Sequence, residues 1–139
     1  MSGAGLTGGC ACGGVRYRLA SAPFDAGYCH CDICRRSAGA PVLAFATVPL
    51  ADFVITSGTP RVRPSSSFGE RGFCPDCGTQ LTMHVKHQPD TIDFTIASLD
   101  EPARVMPGFH LFFGSHIPWF DTNDDLPRHE GLRPDTRGL

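Results

Sequence analysis

Hydrophobic and polar positions along this chain follow mostly the two-residue period of β-strands. In "VRYRLA" (15–20) apolar and polar residues alternate, as expected for a strand with one buried face. "PVLAFATVPL" (41–50) is apolar along most of its length, which predicts a more deeply buried strand. Further strands, each bounded by or close to Gly, Pro, Asp or Asn, are predicted at "FVITSG" (53–58), "RVRPSSS" (61–67), "TQLTMHV" (79–85) and "TIDFTIASL" (91–99).

Helical periodicity is weak along the whole sequence. One turn of helix is predicted near residues 31–38, and the segment after Asp121 is polar and contains proline. No internal repeat and no low-complexity linker divides the chain. The pattern therefore predicts a mainly β fold of antiparallel sheets with little helix, in one domain over residues 1–139.

Composition narrows the classes of partner. Sixteen glycines and twelve prolines in 139 residues favour turn-rich β structure. Charged residues make up 19% and the net charge is −2, which argues against a nucleic-acid-binding surface. The first fourteen residues hold no apolar run of seven or more, so no secretory signal is predicted, and no stretch reaches the length of a membrane span. We expect a cytoplasmic protein with neither a nucleic-acid nor a membrane partner.

The seven cysteines carry the clearest chemical signal. A disulfide framework is not expected in a reducing compartment, and an odd number would leave one thiol unpaired, so metal ligation is the leading explanation. "CPDCG" (74–78) presents two thiolates to one ion, and its glycine can take the positive φ of such a turn. The remaining cysteines lie in "GGCACGG" (8–14) and "CHCDIC" (29–34).

Two groupings of these cysteines are compatible with the spacing. The first forms a closed set of four, called here the four-cysteine cluster: Cys10, Cys12, Cys74 and Cys77. It leaves a separate set of three, the three-cysteine cluster: Cys29, Cys31 and Cys34. The second pairs Cys31 and Cys34 with "CPDCG" as a zinc ribbon, the commoner pattern on spacing alone. Because the ribbon leaves three cysteines unused, including a C-x-C pair whose side chains share one face of an extended chain, the first grouping is favoured.

The two clusters of the first grouping predict different roles. Four thiolates complete the tetrahedral shell of a structural zinc, which contributes on the order of 10 kcal/mol of folding free energy in zinc-dependent peptides. Three thiolates leave one position for water or substrate, the arrangement of catalytic zinc.

Four separated motifs resemble one known family. "GGCACGGVRY", "CHCDICRRSAGAP", "RGFCPDCGTQL" and "PGFHLFFGSHIPWF…DDLPR" occur in the order found in the glutathione-dependent formaldehyde-activating enzyme (GFA) family. The resemblance covers about residues 8–128, leaving 129–139 as a polar tail. It implies a β-tent fold with two zinc ions (Zn²⁺), structural at the four-cysteine cluster and catalytic at the three-cysteine cluster. It also implies a carbon–sulfur lyase that adds the thiol of glutathione to formaldehyde, giving S-hydroxymethylglutathione.

Substrate contacts are predicted at four residues. Arg35 and Arg36 follow the three-cysteine motif and suit an anionic substrate with carboxylates, although they could equally form a solvated pair or bind a neighbouring acid. His110 and Trp119 belong to an aromatic motif that could line the mouth of the open zinc site or simply pack in the core. His30, between two expected ligands, is predicted to point away from the metal and pack.

Two other functions remain compatible with the sequence. A zinc module of this kind could bind a protein partner without catalysis, and exposed zinc thiolates could act as a redox sensor. The leading interpretation is a zinc-dependent enzyme acting on a small-molecule thiol.

Overall fold

A computed structural model describes residues 5–133, and the chain within that range is built mainly of strands. One α-helix lies among them, α1 (Asp32–Ala38), together with four short 3-10 turns. The strands are β1 (Thr7–Gly9), β2 (Arg16–Leu19), β3 (Phe24–Cys29), β4 (Leu43–Pro49), β5 (Phe53–Ser57), β6 (Arg61–Pro64), β7 (Gly69–Phe73), β8 (Gln80–Val85), β9 (Thr91–Thr95) and β10 (His110–Leu111). The first four residues, and positions 134–139 of the predicted polar tail, lie outside the described range.

The strands form two sheets. The smaller sheet has the order β1-β2-β5 and is antiparallel throughout. The larger sheet has the order β10-β3-β4-β9-β8-β7-β6, and every neighbouring pair is antiparallel except β10 and β3. The predicted mainly β, antiparallel fold with little helix is confirmed, with β10 as a parallel exception. No helix of the described residues is long and apolar enough to cross a bilayer.

Strand β4 connects the core with the site because both of its faces are covered. Ala46 and Val48 belong to the main core cluster, where Tyr17 and Phe94 are fully buried. Phe45 lies on the other face of β4 and packs in a second cluster, which also contains members of the three-cysteine cluster. A strand buried on both faces is apolar along its length, which explains the pattern that predicted it.

All six predicted strands overlap observed ones, but four strands were not predicted. The segment of β3 lacks alternation and contains Asp25 at φ 50°. The segment of β7, "GERGF", contains two glycines and lacks the alternation of a strand. β1 and β10 have only three and two residues, too few for a periodic pattern. Of these four, β10 has a partner strand far away in the sequence, β3, whereas β1 and β7 pair with strands next to them in the chain, and their positions follow from that pairing and not from a local pattern.

Helix α1 begins at a cysteine. The Sγ atom of Cys31 accepts a hydrogen bond from the backbone N–H of Cys34 at 3.3 Å, in the position of an N-cap. The helix ends at Gly39, whose φ of 62° is left-handed. The turn of helix predicted near 31–38 is confirmed, and it places two cysteines of one cluster at the start of the helix.

Candidate metal centres and their cavity

The four-cysteine cluster joins two turns that are far apart in the sequence. Cys10 and Cys12 lie between β1 and β2, and Cys74 and Cys77 lie between β7 and β8. Each residue offers a sulfur, and these atoms all lie within 4.8 Å of one another. The shortest separations are 3.5 Å between Cys10 Sγ and Cys12 Sγ and 3.8 Å between Cys12 Sγ and Cys74 Sγ. Four sulfurs at this spacing form a complete tetrahedral donor set for zinc.

Backbone N–H groups point at sulfurs in the N-terminal turn. The N–H of Val15 donates to Cys10 Sγ at 3.2 Å, and that of Gly14 donates to Cys12 Sγ at 3.4 Å. In the other turn, Gly78 takes the predicted positive φ, 79°, and donates its N–H to the carbonyl of Cys74 at 2.8 Å. The two N–H bonds to sulfur stabilise thiolates, the form in which cysteine binds metal.

Cys77 is hydrogen-bonded by a neighbouring hydroxyl. Its Sγ atom lies 3.2 Å from the Oγ1 atom of Thr79. Bonds from the side chain and the backbone of Thr79 lower the pKa of Cys77 to about 5. This exposed thiol is therefore deprotonated at neutral pH and ready to bind a metal.

The three-cysteine cluster forms at the junction of β3 and α1. Cys29 ends β3, Cys31 caps α1 and Cys34 lies in the first turn of the helix. Their sulfurs also lie within 4.8 Å of one another. The structure thus brings the seven cysteines together as four and three, and it does not bring Cys31 and Cys34 to "CPDCG" as a ribbon would require.

A positive charge that sequence reasoning missed lies against this cluster. Arg71, in β7, donates from Nη2 to Cys34 Sγ at 3.4 Å and from Nη1 to Gln80 Oε1 at 3.3 Å. Hydrogen bonds from the thiols of Cys29 and Cys34, aided by the charge of Arg71, lower the pKa of Cys31. The environment favours a thiolate at Cys31, and the convergence of the three sulfurs fits a zinc ion with one tetrahedral position left open.

A cavity of about 370 Å³ opens onto the three-cysteine cluster, and all three of its cysteines line it. No member of the four-cysteine cluster is among the described residues of its wall. The wall is largely apolar, with Phe45, Phe68, Met83, Val85, Phe109, Leu111, Phe112 and Leu132. Gly27 makes room for one of these rings, because a Cβ there would meet Phe109 Cε1 at 2.5 Å. The two clusters therefore differ in access: all three cysteines of one line this apolar cavity, whereas only Cys10 of the other lines a cavity, a different one.

Comparison with known proteins identifies the family. The family model described as glutathione-dependent formaldehyde-activating enzyme matches residues 5–115. The chain belongs to this family. A Halomonas elongata protein, which carries the name glutathione-dependent formaldehyde-activating enzyme as a provisional designation, is 29% identical over 129 residues, covering 84% of this chain and 80% of that protein.

A solved structure supports the fold of this GFA-family chain. A crystal structure of a Rhodobacter sphaeroides protein from a structural genomics programme superposes with a TM-score of 0.59 at 22% identity. The match covers 89% of this chain and all of the other. It shows a shared fold.

The cavity of this GFA-family protein contains the carboxyl group of a half-buried aspartate. Asp93 in β9 lines the wall, and the hydroxyl of Thr47 donates to its Oδ1 atom at 2.6 Å. Burial raises the pKa of Asp93 from its ordinary value of 3.8 to about 6. No motif marks this residue, because only the pairing of β9 with β4 and β8 places it at the cavity.

Replacing Asp93 should change how stability depends on pH. Because folding raises the pKa of Asp93, the folded chain holds the carboxyl proton more tightly than the unfolded chain does. The stabilisation of the fold by this proton is complete below about pH 4 and is lost as the pH rises through about 6. Asp93→Asn keeps an oxygen for Thr47 but has no carboxyl group to ionise. Its free energy of unfolding, relative to that of wild type, should therefore increase by about 1 kcal/mol from about pH 5 to about pH 8. Urea unfolding at the two pH values measures it, with the exposed Asp125→Asn as control. Parallel pH profiles for wild type and Asp93→Asn would contradict the assignment.

None of the four predicted substrate contacts lines the cavity. Arg35 is ion-paired with Asp32 and donates from Nε to the carbonyl of His30 at 3.1 Å. Arg36 is exposed on α1. Trp119 is 75% exposed, outside the cavity wall. Contact of these residues with substrate stays a prediction.

The fourth residue, His110, is fully buried behind the three-cysteine segment. Its Nδ1 atom lies 2.8 Å from Nε2 of His30, and its Nε2 atom lies 3.1 Å from the hydroxyl of Thr122 and 3.3 Å from the Oδ1 atom of Asp124. If His110 Nε2–H donates to Asp124, then His110 Nδ1 accepts from His30, and His30 Nδ1 remains an unprotonated buried acceptor. Burial and the neighbouring His110 lower the pKa of His30 to about 4, in keeping with a neutral ring. These histidines hold the cysteine-bearing end of β3 against β10.

Proposed function

We propose that this chain is a zinc-dependent enzyme of the carbon–sulfur lyase type that joins a thiol to formaldehyde. One observation carries the proposal: three sulfurs converge beside a cavity, while the other four form a complete set elsewhere. Membership of the GFA family supports the reaction class, and the name of that family makes glutathione the first thiol to test. A cytoplasmic location, where thiols stay reduced, is part of the proposal.

The reaction requires little machinery beyond the cavity. A sulfur–carbon bond forms, the carbonyl double bond becomes single, and the proton of the thiol ends on the new hydroxyl group. Cys29, Cys31 and Cys34 would hold a zinc ion, which would supply a Lewis acid that lowers the pKa of a thiol. Arg71 offsets the negative charge of the sulfurs through its bond to Cys34. Asp93 lines the same cavity, and a carboxyl pKa of about 6 suits a group that exchanges protons near neutral pH.

Exchange spectroscopy of the adduct tests this function. Isotope-labelled formaldehyde and a thiol are mixed with zinc-loaded protein, and interconversion of free aldehyde and adduct is measured by NMR. We expect exchange above the uncatalysed rate that disappears when a chelator removes the metal and returns when zinc is restored. Exchange at the uncatalysed rate with every thiol, while both zinc ions are retained, would favour a non-catalytic zinc module instead.

A further inference from the structure

The cavity wall is apolar from its inner surface to its rim. Phe45, Met83, Phe109 and Leu111 are each less than 9% exposed and form the inner wall. Phe68 lines the same cavity and is 51% exposed, so it lies at the rim. A ligand that fills this space is surrounded by aromatic and aliphatic side chains, the usual lining of a site for small apolar molecules.

The charged groups of the wall are already paired, or are of the wrong sign for an anion. Among the described residues, the wall contains Asp25, Asp93 and Arg71, with the exposed His87 as a further titratable group. Asp25 is ion-paired with Arg133. Arg71 is bonded to Cys34 and to Gln80, and only its buried Nε atom has no partner. The wall therefore has one guanidinium, already bonded to Cys34 and Gln80, against two carboxyl groups.

The order of groups across the sheet fixes where polar atoms of a ligand can lie. Thr47, Asp93, Met83 and Arg71 are direct partners on successive strands β4, β9, β8 and β7. Side chains of direct partners share one face of a sheet. Asp93 and Arg71 are therefore two strand spacings apart, or roughly 10 Å, with the thioether of Met83 between them. Arg71 adjoins the three-cysteine cluster, whereas the carboxyl group of Asp93 offers a ligand one hydrogen-bonding position away from that cluster.

Glutathione matches this wall poorly. It carries two carboxylates and one ammonium group on a polar backbone, and each charge must find a partner when it leaves water. The wall offers one guanidinium, which is already bonded to Cys34 and Gln80, and its two acids repel carboxylates. An uncharged body of similar or smaller size leaves no buried charge unpaired and fills the apolar surface.

From these contacts, and resting on the proposed function, we propose that the thiol bound by this cavity is small and uncharged, with an aromatic or alkyl body, and is not glutathione. Its sulfur lies at the three-cysteine cluster and its body packs against Phe45, Phe109 and Met83. Addition to formaldehyde forms one sulfur–carbon bond, makes the carbonyl double bond single and transfers the thiol proton to the carbonyl oxygen.

Calorimetric titration of the zinc-loaded protein tests the assignment. Phenylmethanethiol and glutathione are titrated separately under reducing conditions. We expect phenylmethanethiol to bind at least about tenfold more tightly. Glutathione binding as tightly or more tightly, or no binding of either thiol, would overturn the assignment.

A rim variant tests the same point without disturbing the core. Phe68→Ala removes an exposed ring of the wall, and Leu50→Ala removes a comparably exposed apolar side chain outside it. Phe68→Ala should weaken phenylmethanethiol about fivefold and leave glutathione nearly unchanged, whereas Leu50→Ala should change neither. Unchanged phenylmethanethiol affinity in Phe68→Ala would contradict the proposal.

Adduct exchange, measured in parallel, separates the two proposals. If phenylmethanethiol binds preferentially but neither thiol exchanges faster than the uncatalysed rate, the proposed enzymatic function fails while the ligand assignment stands. If exchange is accelerated and glutathione is both bound and turned over preferentially, the ligand assignment fails while the enzymatic function stands.

Discussion

Replacing Cys74 by serine is expected to leave most of the chain unfolded at room temperature. The Cys74 side chain is fully buried in the main core cluster and belongs to the four-cysteine cluster. A structural zinc contributes on the order of 10 kcal/mol, which is comparable to the 5–15 kcal/mol total stability of a typical domain. Thermal unfolding followed by circular dichroism measures the loss.

Cys77→Ser separates loss of metal from loss of packing. Cys77 belongs to the same cluster but is exposed, so a serine there buries no hydroxyl group. If metal binding holds the turns together, Cys77→Ser should destabilise the protein nearly as much as Cys74→Ser. Wild-type stability of Cys77→Ser, with only Cys74→Ser unfolding, would show that packing at Cys74 matters and that the cluster is not a structural zinc site.

Replacing Cys31 by serine is expected to abolish adduct exchange without unfolding the chain. The serine oxygen can still cap α1 by accepting the N–H of Cys34, since serine is a preferred N-cap residue. The cluster would keep two thiolates and lose the ligand between them, and we expect at least about a hundredfold loss of catalysed exchange. The NMR exchange assay measures the rate, and circular dichroism checks the fold.

The matched control lies on the same helix. Ser37 is exposed on α1 and lies outside the cavity wall, so Ser37→Ala should keep the wild-type exchange rate. Equal rates for Cys31→Ser and Ser37→Ala across several thiols would remove the support for catalysis at the three-cysteine cluster.

The grouping of the cysteines was predictable because every one of the seven had to be accounted for. Cys10 and Cys12 had no role in a ribbon, and assigning them to "CPDCG" left Cys29 with its neighbours. The buried strand β4 could also be predicted from the sequence, because both of its faces are apolar. These features are local in sequence, or follow from counting ligands.

The polar residues of the cavity could not be predicted in the same way. Arg71 and Asp93 reach the site only through the register of β7, β8 and β9, and nothing in "GERGF" or "TIDFT" marks either residue as functional. The aromatic motif pointed to Trp119 and His110, but Trp119 is exposed and His110 is bonded to His30 behind the cluster. Which side of a short strand faces a cavity depends on contacts that are distant in sequence.

The zinc content of purified wild-type protein and of a Cys29→Ser/Cys31→Ser/Cys34→Ser variant tests the central claim most directly. Elemental analysis per mole of folded chain should give two zinc ions in the wild type and one in the variant, because the four-cysteine cluster is intact in both. One zinc ion in both proteins would contradict a metal site at the three-cysteine cluster, and with it the proposed chemistry.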